Sequence, residues 1–216
     1  MKKNIILMGP PGAGKGTLAK QLLNAFPFVH ISTGDMFREA IKAGTELGKL
    51  AQSYIDKGDL VPDEVTIGLV KERLSQDDCA NGFMLDGFPR TIPQAEALEK
   101  ICQEIQRPID AVVNLDCDDK ELIRRISGRR VCKNCGTPYH IITMKPKVEG
   151  ICDKCGGPLF QRADDNEEAL KVRLDHYVHS TKPLLDFYQE KGLLENFNSL
   201  KGSELLFDEV RLYLGK

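Results

Sequence analysis

Gly9-Pro10-Pro11-Gly12-Ala13-Gly14-Lys15-Gly16-Thr17 lies between an apolar run, Lys3 to Met8, and an amphipathic one, Leu18 to Phe26. The first reads as a buried strand and the second as a helix. A glycine-rich turn in that setting is a phosphate-binding loop. Its glycines let successive backbone N–H groups converge on phosphate oxygens, the helix N-terminus adds its dipole, and Lys15 can reach the outer phosphates. The general pattern has Ser or Thr directly after the lysine. Here Gly16 intervenes before Thr17, so a direct hydroxyl contact to Mg²⁺ at that position is not expected.

Outward from the loop, strands and helices alternate. Val29 to Ser32, Phe83 to Asp86 and Ala111 to Asp116 read as strands. Between Thr33 and Asp59 the spacing of Met36, Phe37, Ile41, Leu47, Leu50, Tyr54 and Ile55 predicts short helices broken at Gly44 and Gly58. Pro62 opens another helix, with Asp63 and Glu64 in its first turn. Helices are also predicted from Pro93 to about Ile105 and from Asp118 to Arg129. From Val131 to Gln161 the pattern turns Cys/Gly/Pro-rich with no helical period, as an insertion would. Helix resumes near Asn166, with Asp165 and Glu168 at capping-box spacing, and Pro183 kinks or restarts it. Leu193 to Phe197 is a last strand and Glu204 to Leu214 a last helix. The alternation predicts an α/β fold, a parallel sheet flanked by helices.

The 216 residues are long for one compact domain and short for two, which suggests one core with insertions. At 41% hydrophobic there are roughly 89 apolar residues, ample for a core without disulfides. Thirty Lys+Arg against 32 Asp+Glu leave a net charge of -2, which excludes a bulk polybasic binder of nucleic acid or membrane. No apolar run reaches the ~18 residues of a membrane span. The opening Met1-Lys2-Lys3 and Ile5-Ile6-Leu7-Met8 run is too short for a signal peptide and enters the glycine loop directly. The chain is expected to be cytoplasmic and monomeric, with neither nucleic acid nor membrane as partner.

Of seven cysteines, Cys79, Cys102 and Cys117 fall in apolar or amphipathic segments and read as small core thiols. The other four form two Cys-x-x-Cys pairs, Cys132 with Cys135 and Cys152 with Cys155, 16 residues apart. That is tetrahedral zinc spacing, with turn glycines at Gly136, Gly156 and Gly157. Disulfides are disfavoured by compartment, and an iron–sulfur cluster is the minor alternative. Four thiolates leave no open coordination position, so Zn²⁺ here would be structural, a staple for a segment too small to build its own core.

The Gly-Lys-Gly-Thr ending of the loop is followed by Ser32-Thr33-Gly34-Asp35-Met36-Phe37-Arg38 and Asp86-Gly87-Phe88-Pro89-Arg90. Then come Gly128-Arg129-Arg130, Gln161-Arg162-Ala163-Asp164-Asp165 and Lys171-Val172-Arg173-Leu174. In this order the motifs resemble the adenylate kinase family over essentially the whole chain, in its long-lid bacterial form. The resemblance implies a core (1–31, 62–127 and 166–216), a helical AMP-binding arm (32–61) and a lid carrying the zinc site (128–165). It matches Gly12, Ala13, Gly14, Lys15, Gly16, Thr17 and Arg129 to ATP-binding positions, and Pro138 and Tyr139 to the lid's contact with the ATP base. Thr33, Arg38, Asp59, Leu60, Val61, Gly87, Phe88, Pro89, Arg90 and Gln94 match AMP-binding positions. Arg162 and Arg173 match residues bridging the phosphates being exchanged, and Asp86 one that holds Mg²⁺ through water. Lys201 is a loosely aligned candidate for a backbone contact to adenine.

The implied reaction is Mg·ATP + AMP ⇌ 2 ADP, with ATP and AMP as substrates and Mg²⁺ as cofactor. The reactants carry a charge of about −4, and transfer needs that charge neutralised and the reactants aligned rather than a strong base. Lys15, Arg38, Arg90, Arg129, Arg162 and Arg173 supply positive charge, as guanidinium forks bind phosphate bidentately and stay protonated. The residues assigned a catalytic part are Lys15, Arg90, Arg129, Arg162 and Arg173, and Arg125 is a further candidate. No nucleophilic side chain is needed, and His30, His140, His176 and His179 read as structural or surface groups. Thr33 and the amide of Gln94 favour AMP as acceptor over the pyrimidine monophosphates of related kinases, which remain an alternative. A zinc-ribbon ATPase that binds nucleic acid is the alternative from another class; the near-neutral charge speaks against it.

Overall fold

Ile5 and Leu7 pack into one apolar cluster and Ile6 and Met8 into another, all four buried. A strand apolar on both faces belongs inside a parallel sheet covered by helices on both sides. A computed structural model, which describes residues 1–215, places it there. In chain order the first elements are β1 (Asn4–Met8), α1 (Lys15–Ala25), β2 (Val29–Ser32), α2 (Thr33–Lys42), α3 (Glu46–Ile55) and α4 (Asp63–Leu74). Then come β3 (Phe83–Asp86), α5 (Ile92–Glu104), β4 (Ala111–Asp116), α6 (Asp119–Ser127), β5 (Arg129–Cys132), β6 (Pro138–His140) and β7 (Leu159–Phe160). The chain closes with α7 (Glu167–His176), α8 (Pro183–Glu190), β8 (Leu194–Asn198) and α9 (Ser203–Gly215).

The main sheet has the order β2-β3-β1-β4-β8 and every pairing in it is parallel. One face is covered by α1 and α9, whose Leu18, Leu22, Leu206, Val210 and Leu214 meet Ile5, Leu7 and Val113. The other is covered by α4, α5 and α8 through Val70, Leu74, Leu98, Ile101, Leu184 and Tyr188. Leu22 is fully buried, and truncating such a residue to alanine costs ~2–5 kcal/mol. Cys79 and Cys102 lie in this core and Cys117 packs against its edge.

Two pieces stand outside this sandwich. α2 and α3 join Val61 in a small cluster of Phe37 and Ala51, and Gly48 lets them touch, since a Cβ there would overlap the Ala40 backbone. The Cys-rich segment is more ordered than its sequence suggests. It forms an antiparallel sheet of order β6-β5-β7, with Arg129 opposite His140 and Val131 opposite Phe160. Its core is Cys132, Tyr139 and Cys152 with Leu159.

Two local expectations are corrected. The helix predicted to reach Arg129 stops at Ser127, with Gly128 as its cap. A Cβ on Gly128 would collide with the His140 imidazole, and Arg129 already belongs to β5. The cap of α7 is Asn166, not Asp165. Asn166 Oδ1 accepts from the Ala169 N–H at 2.8 Å, while Asp165 is turned toward Arg129. After α7 the chain makes a π-turn, Tyr177–Thr181, before Pro183 restarts the helix. Among the described residues no helix is long and apolar enough to cross a membrane.

Candidate active site

The loops after β1 and β3, the segment between α3 and α4, the small sheet and α7 surround one cavity of about 700 Å³. The position, beyond the carboxyl ends of parallel strands, is where α/β sheets bind ligands.

The glycine loop forms its floor. Gly9, Gly12 and Gly14 have φ of 135°, 91° and 99°, a region costly for any residue with a Cβ. At Gly9 a Cβ would also lie 2.6 Å from the Leu115 carbonyl oxygen. Gly14 caps α1 with backbone alone, so the Lys15 and Gly16 N–H groups are left for an anion, while that of Thr17 bonds the Gly14 carbonyl at 3.0 Å. Lys15 Nζ donates to the Gly9 and Pro10 carbonyls at 2.7 and 3.0 Å. Burial lowers its pKa to about 8; Asp86 opposes the shift and Arg90, Arg173 and Arg129 add to it. Asp86 ends β3 across the floor. Burial would raise its carboxyl, but His30 and Lys15 outweigh burial and hold it below the usual carboxylate range. His30 Nε2 lies 3.6 Å from Asp86 Oδ2 and makes no hydrogen bond.

The arginines arrive from separate elements, most with a carboxylate attached. Arg38 of α2 binds Asp35, three residues before it. Arg129 of β5 makes a bidentate pair with Asp165: Nε is 2.8 Å from Oδ2, and Nη2 closes the second bond to Oδ1. Arg173 of α7 is 2.9 Å from Asp164 and 3.7 Å from Asp165. Arg162 lies 3.7 Å from Asp35. Arg90 pairs with no carboxylate among the described residues and donates Nε to the Gly87 carbonyl at 2.9 Å. Burial, then neighbouring guanidinium groups, lower Arg162 and Arg173 to about 10 even with acids nearby. Arg162 and Arg173 remain cationic at neutral pH, and such crowding of positive charge favours a polyanion.

The other wall carries polar groups suited to a base and a ribose. Thr33 Oγ1 donates to the Gly87 carbonyl at 2.9 Å. Gln94 is 2% exposed and borders the cavity with Gly58, Asp59, Leu60 and Val61. The Arg90 backbone is held at its carbonyl by Thr181 Oγ1, at 3.0 Å. Pro138, Tyr139, Ser199 and Leu200 line the opposite end.

Two expected residues lie elsewhere. Phe88 is 1% exposed in the apolar core behind the cavity, since its ring fills space between sheet and helices. Lys201 is outside the lining, its ammonium 2.7 Å from Glu209, although Leu200 and Gly202 beside it do line the cavity. The sequence reading also missed groups. Asp35 and Asp164 hold arginines from within quoted motifs, where two acids among the basic residues were the available signal. His30 and His176 border the cavity, and His176 Nε2 is 3.1 Å from Asp59 Oδ1. Arg125 does reach the loop, donating to the Ala13 and Ser199 carbonyls at 3.3 and 3.0 Å.

The four clustered cysteines converge. Their sulfurs lie within 4.8 Å of one another, with Cys132–Cys155 at 3.4 Å and Cys135–Cys152 at 3.6 Å. Four sulfurs around a metal at ~2.3 Å stand about 3.8 Å apart, so the quartet fits a tetrahedral thiolate site. Tyr139 supports it: its hydroxyl is 3.5 Å from Cys152 Sγ and accepts from the Asp153 N–H at 2.7 Å. Lys20 of α1 donates to the Gly136 carbonyl at 2.6 Å, tying this sheet to the helix that follows the glycine loop.

A family model described as adenylate kinase matches residues 7–193. The adenylate kinase of Geobacillus sp. (strain WCH70) is 56% identical over 212 residues, 98% of each chain. That of Bacillus subtilis (strain 168) is also 56% identical over 212 residues and 98% of each chain. That of Staphylococcus aureus (strain N315) is 60% identical over 198 residues, 92% of each chain.

Proposed function

The chain belongs to the adenylate kinase family, and on that premise we propose how this cavity moves a phosphoryl group from ATP to AMP, Mg·ATP + AMP ⇌ 2 ADP. We assign the backbone of Gly12 to Thr17, with Lys15 and Arg129, to the ATP phosphates. Arg38 and Arg90 take the AMP phosphate, and Arg162 and Arg173 bridge the group in transit. Thr33, Gln94 and the Asp59-Leu60-Val61 backbone take the AMP nucleoside, and Pro138 and Tyr139 the ATP base.

One observation carries the reading: Lys15 and five arginines from six separate segments converge on one cavity. Three aspartates, Asp35, Asp164 and Asp165, already occupy four of those arginines. Phosphate oxygens can replace carboxylate oxygens at the same guanidinium forks, so the reactants' charge enters a site already shaped for it. An AMP phosphate oxygen attacks the terminal phosphorus as its bond to the β-phosphate oxygen breaks and ADP leaves; Lys15 and the arginines balance the spreading charge, and proximity supplies the rest. Asp86, half-buried and kept anionic by His30 and Lys15, is the residue fitted to hold Mg²⁺ through its water shell. There the ion would supply neutralisation of phosphate charge.

We assign residues 32–61 as the moving arm and 128–165 as the lid, with Zn²⁺ on Cys132, Cys135, Cys152 and Cys155 as the lid's staple. The support is that each piece has a small apolar cluster distinct from those of the main sheet, that of residues 32–61 being shared with Val65 and Leu69 of α4. We take the functional unit to be a monomer, since core, arm and lid elements of a single copy already surround the cavity. Seven free thiols, four of them clustered, fit a reducing compartment, the cytoplasm.

The test is to supply ATP and Mg²⁺ with AMP, CMP, UMP or GMP and measure the diphosphates. ADP from AMP alone is expected. Comparable CDP or UDP formation would overturn the choice of acceptor.

A further inference from the structure

Gln94 borders the cavity with both ends of its amide engaged. Nε2 donates to Asp63 Oδ1 at 2.7 Å, and Oε1 accepts from the Arg90 backbone N–H at 2.8 Å. Most amides can turn over, exchanging O for N at little cost. This one cannot. A carboxylate only accepts and a peptide N–H only donates, so the flipped amide would set oxygen against oxygen and N–H against N–H. Asp63 is held in turn. Its Oδ2 accepts from Thr91 Oγ1 at 2.8 Å, and Thr91 Oγ1, the cap of α5, accepts from the Gln94 N–H at 3.3 Å.

We propose that Asp63 is a specificity-positioning residue: it fixes which way round the Gln94 amide sits, so that the acceptor site selects a 6-aminopurine over a 6-oxopurine. This rests on the reading above that Gln94 meets the base of the monophosphate. Asp63 is absent from the cavity lining, so it acts through Gln94. After its two internal bonds the amide keeps one N–H and one oxygen lone pair. They match adenine, whose 6-amino group donates and whose N1 accepts. Hypoxanthine presents the reverse, an accepting O6 and a donating N1–H. A flipped amide would read that edge as well as the native one reads adenine, so the choice between them depends on the lock. A site left with unpaired polar groups against the wrong base is what generates strong discrimination.

The experiment compares D63A, D63N, Q94A and D63A/Q94A with AMP and IMP as acceptors at saturating Mg·ATP, with KM for ATP and Tm measured alongside. D63A is expected to raise KM for AMP about tenfold, to cut the preference for AMP over IMP by a similar factor, and to leave kcat and KM for ATP within about twofold. D63N, which still offers an oxygen to Nε2, recovers most of the preference. In the Q94A background D63A changes neither quantity. An unchanged AMP/IMP ratio in D63A, with a reduced one in Q94A, overturns the lock and leaves Gln94 as the base reader. An unchanged KM for AMP in Q94A overturns the reading of Gln94 itself. Equal losses of AMP and ATP affinity with a lowered Tm make Asp63 merely structural and overturn the proposal. Should D63A fail to fold, T91V removes the bond that holds Oδ2 together with the cap bond from the Gln94 N–H, and T91S, which keeps both, is its control. A smaller loss of preference is then expected, and an unchanged ratio counts against the lock.

Discussion

Arg162, in the loop after β7, and Arg38 of α2 share one carboxylate: Asp35 binds Arg38 and stands 3.7 Å from Arg162. Asp35 therefore spans the gap between the helical arm and the Cys-rich segment. It is 53% exposed, and exposed pairs are worth ~0–1 kcal/mol, weak enough to exchange for phosphate. D35N should open the ligand-free protein. Dyes carried on unnatural residues at the exposed positions 42 and 147 would report it as a longer mean distance. An identical distance distribution would show that the contact holds nothing.

The thiolate quartet should carry stability rather than chemistry. Stripping the metal with a chelator is expected to lower Tm by about 10 °C, a loss of a few kcal/mol at ~2–4 °C each. Turnover at low temperature should persist. Loss of all activity with Tm unmoved would show the opposite division of labour.

Lys15 makes a pH prediction with a definite sign. Its pKa in the free protein is lowered from 10.5 to about 8, so folding favours its neutral form. Its destabilising contribution is full below pH 8 and fades as pH rises toward 10.5. Phosphates at its side should restore the charge. Binding ATP between these limits should therefore take up a proton, and affinity should fall as pH rises through the window. Calorimetry in buffers of different ionisation enthalpy measures this directly. Zero proton uptake at pH 9, or the same uptake in K15M, would refute it.

Arg173 should matter most when the phosphoryl group is between partners. R173K keeps the charge but loses the planar fork, so kcat is expected to fall about a hundredfold with both KM values little changed. If KM for AMP or ATP rises while kcat holds, Arg173 binds a ground state.

Arg90 should act on one substrate. R90K is expected to raise KM for AMP by about tenfold and to spare KM for ATP, the loss of one charge-assisted fork. A rise in both, or in ATP alone, contradicts its assigned place.

The chain's order of elements was legible because the main sheet is written in local patterns. β1 and β3 are apolar but for one end residue each, β4 is apolar but for Asn114 and Asp116, and the glycine loop marks the first strand–helix turn. The small sheet was not. β7 is two residues long, and its partners are fixed by pairing to β5 and by thiolates far apart in sequence. Helix α6 ended early for a similar reason: the His140 ring against Gly128 comes from 12 residues downstream. Motifs named the arginines but not the acids that hold them. Asp165 looked like a helix cap because capping and ion pairing favour the same side chain. Phe88 shows the limit in the other direction, since a residue inside a binding motif can serve the core.

The π-turn after α7 measures a length. Arg173 sits before it on the helix and Thr181 ends it, gripping the carbonyl of Arg90. One continuous helical rod thus sets the gap between the guanidinium assigned to the moving phosphoryl group and the one assigned to its destination. A deletion of one residue within Tyr177–Thr181 would turn the rod's far end by about 100° and shorten it by about 1.5 Å. Thr181 would lose Arg90, and the two charges would no longer be spaced as a caliper for one transfer.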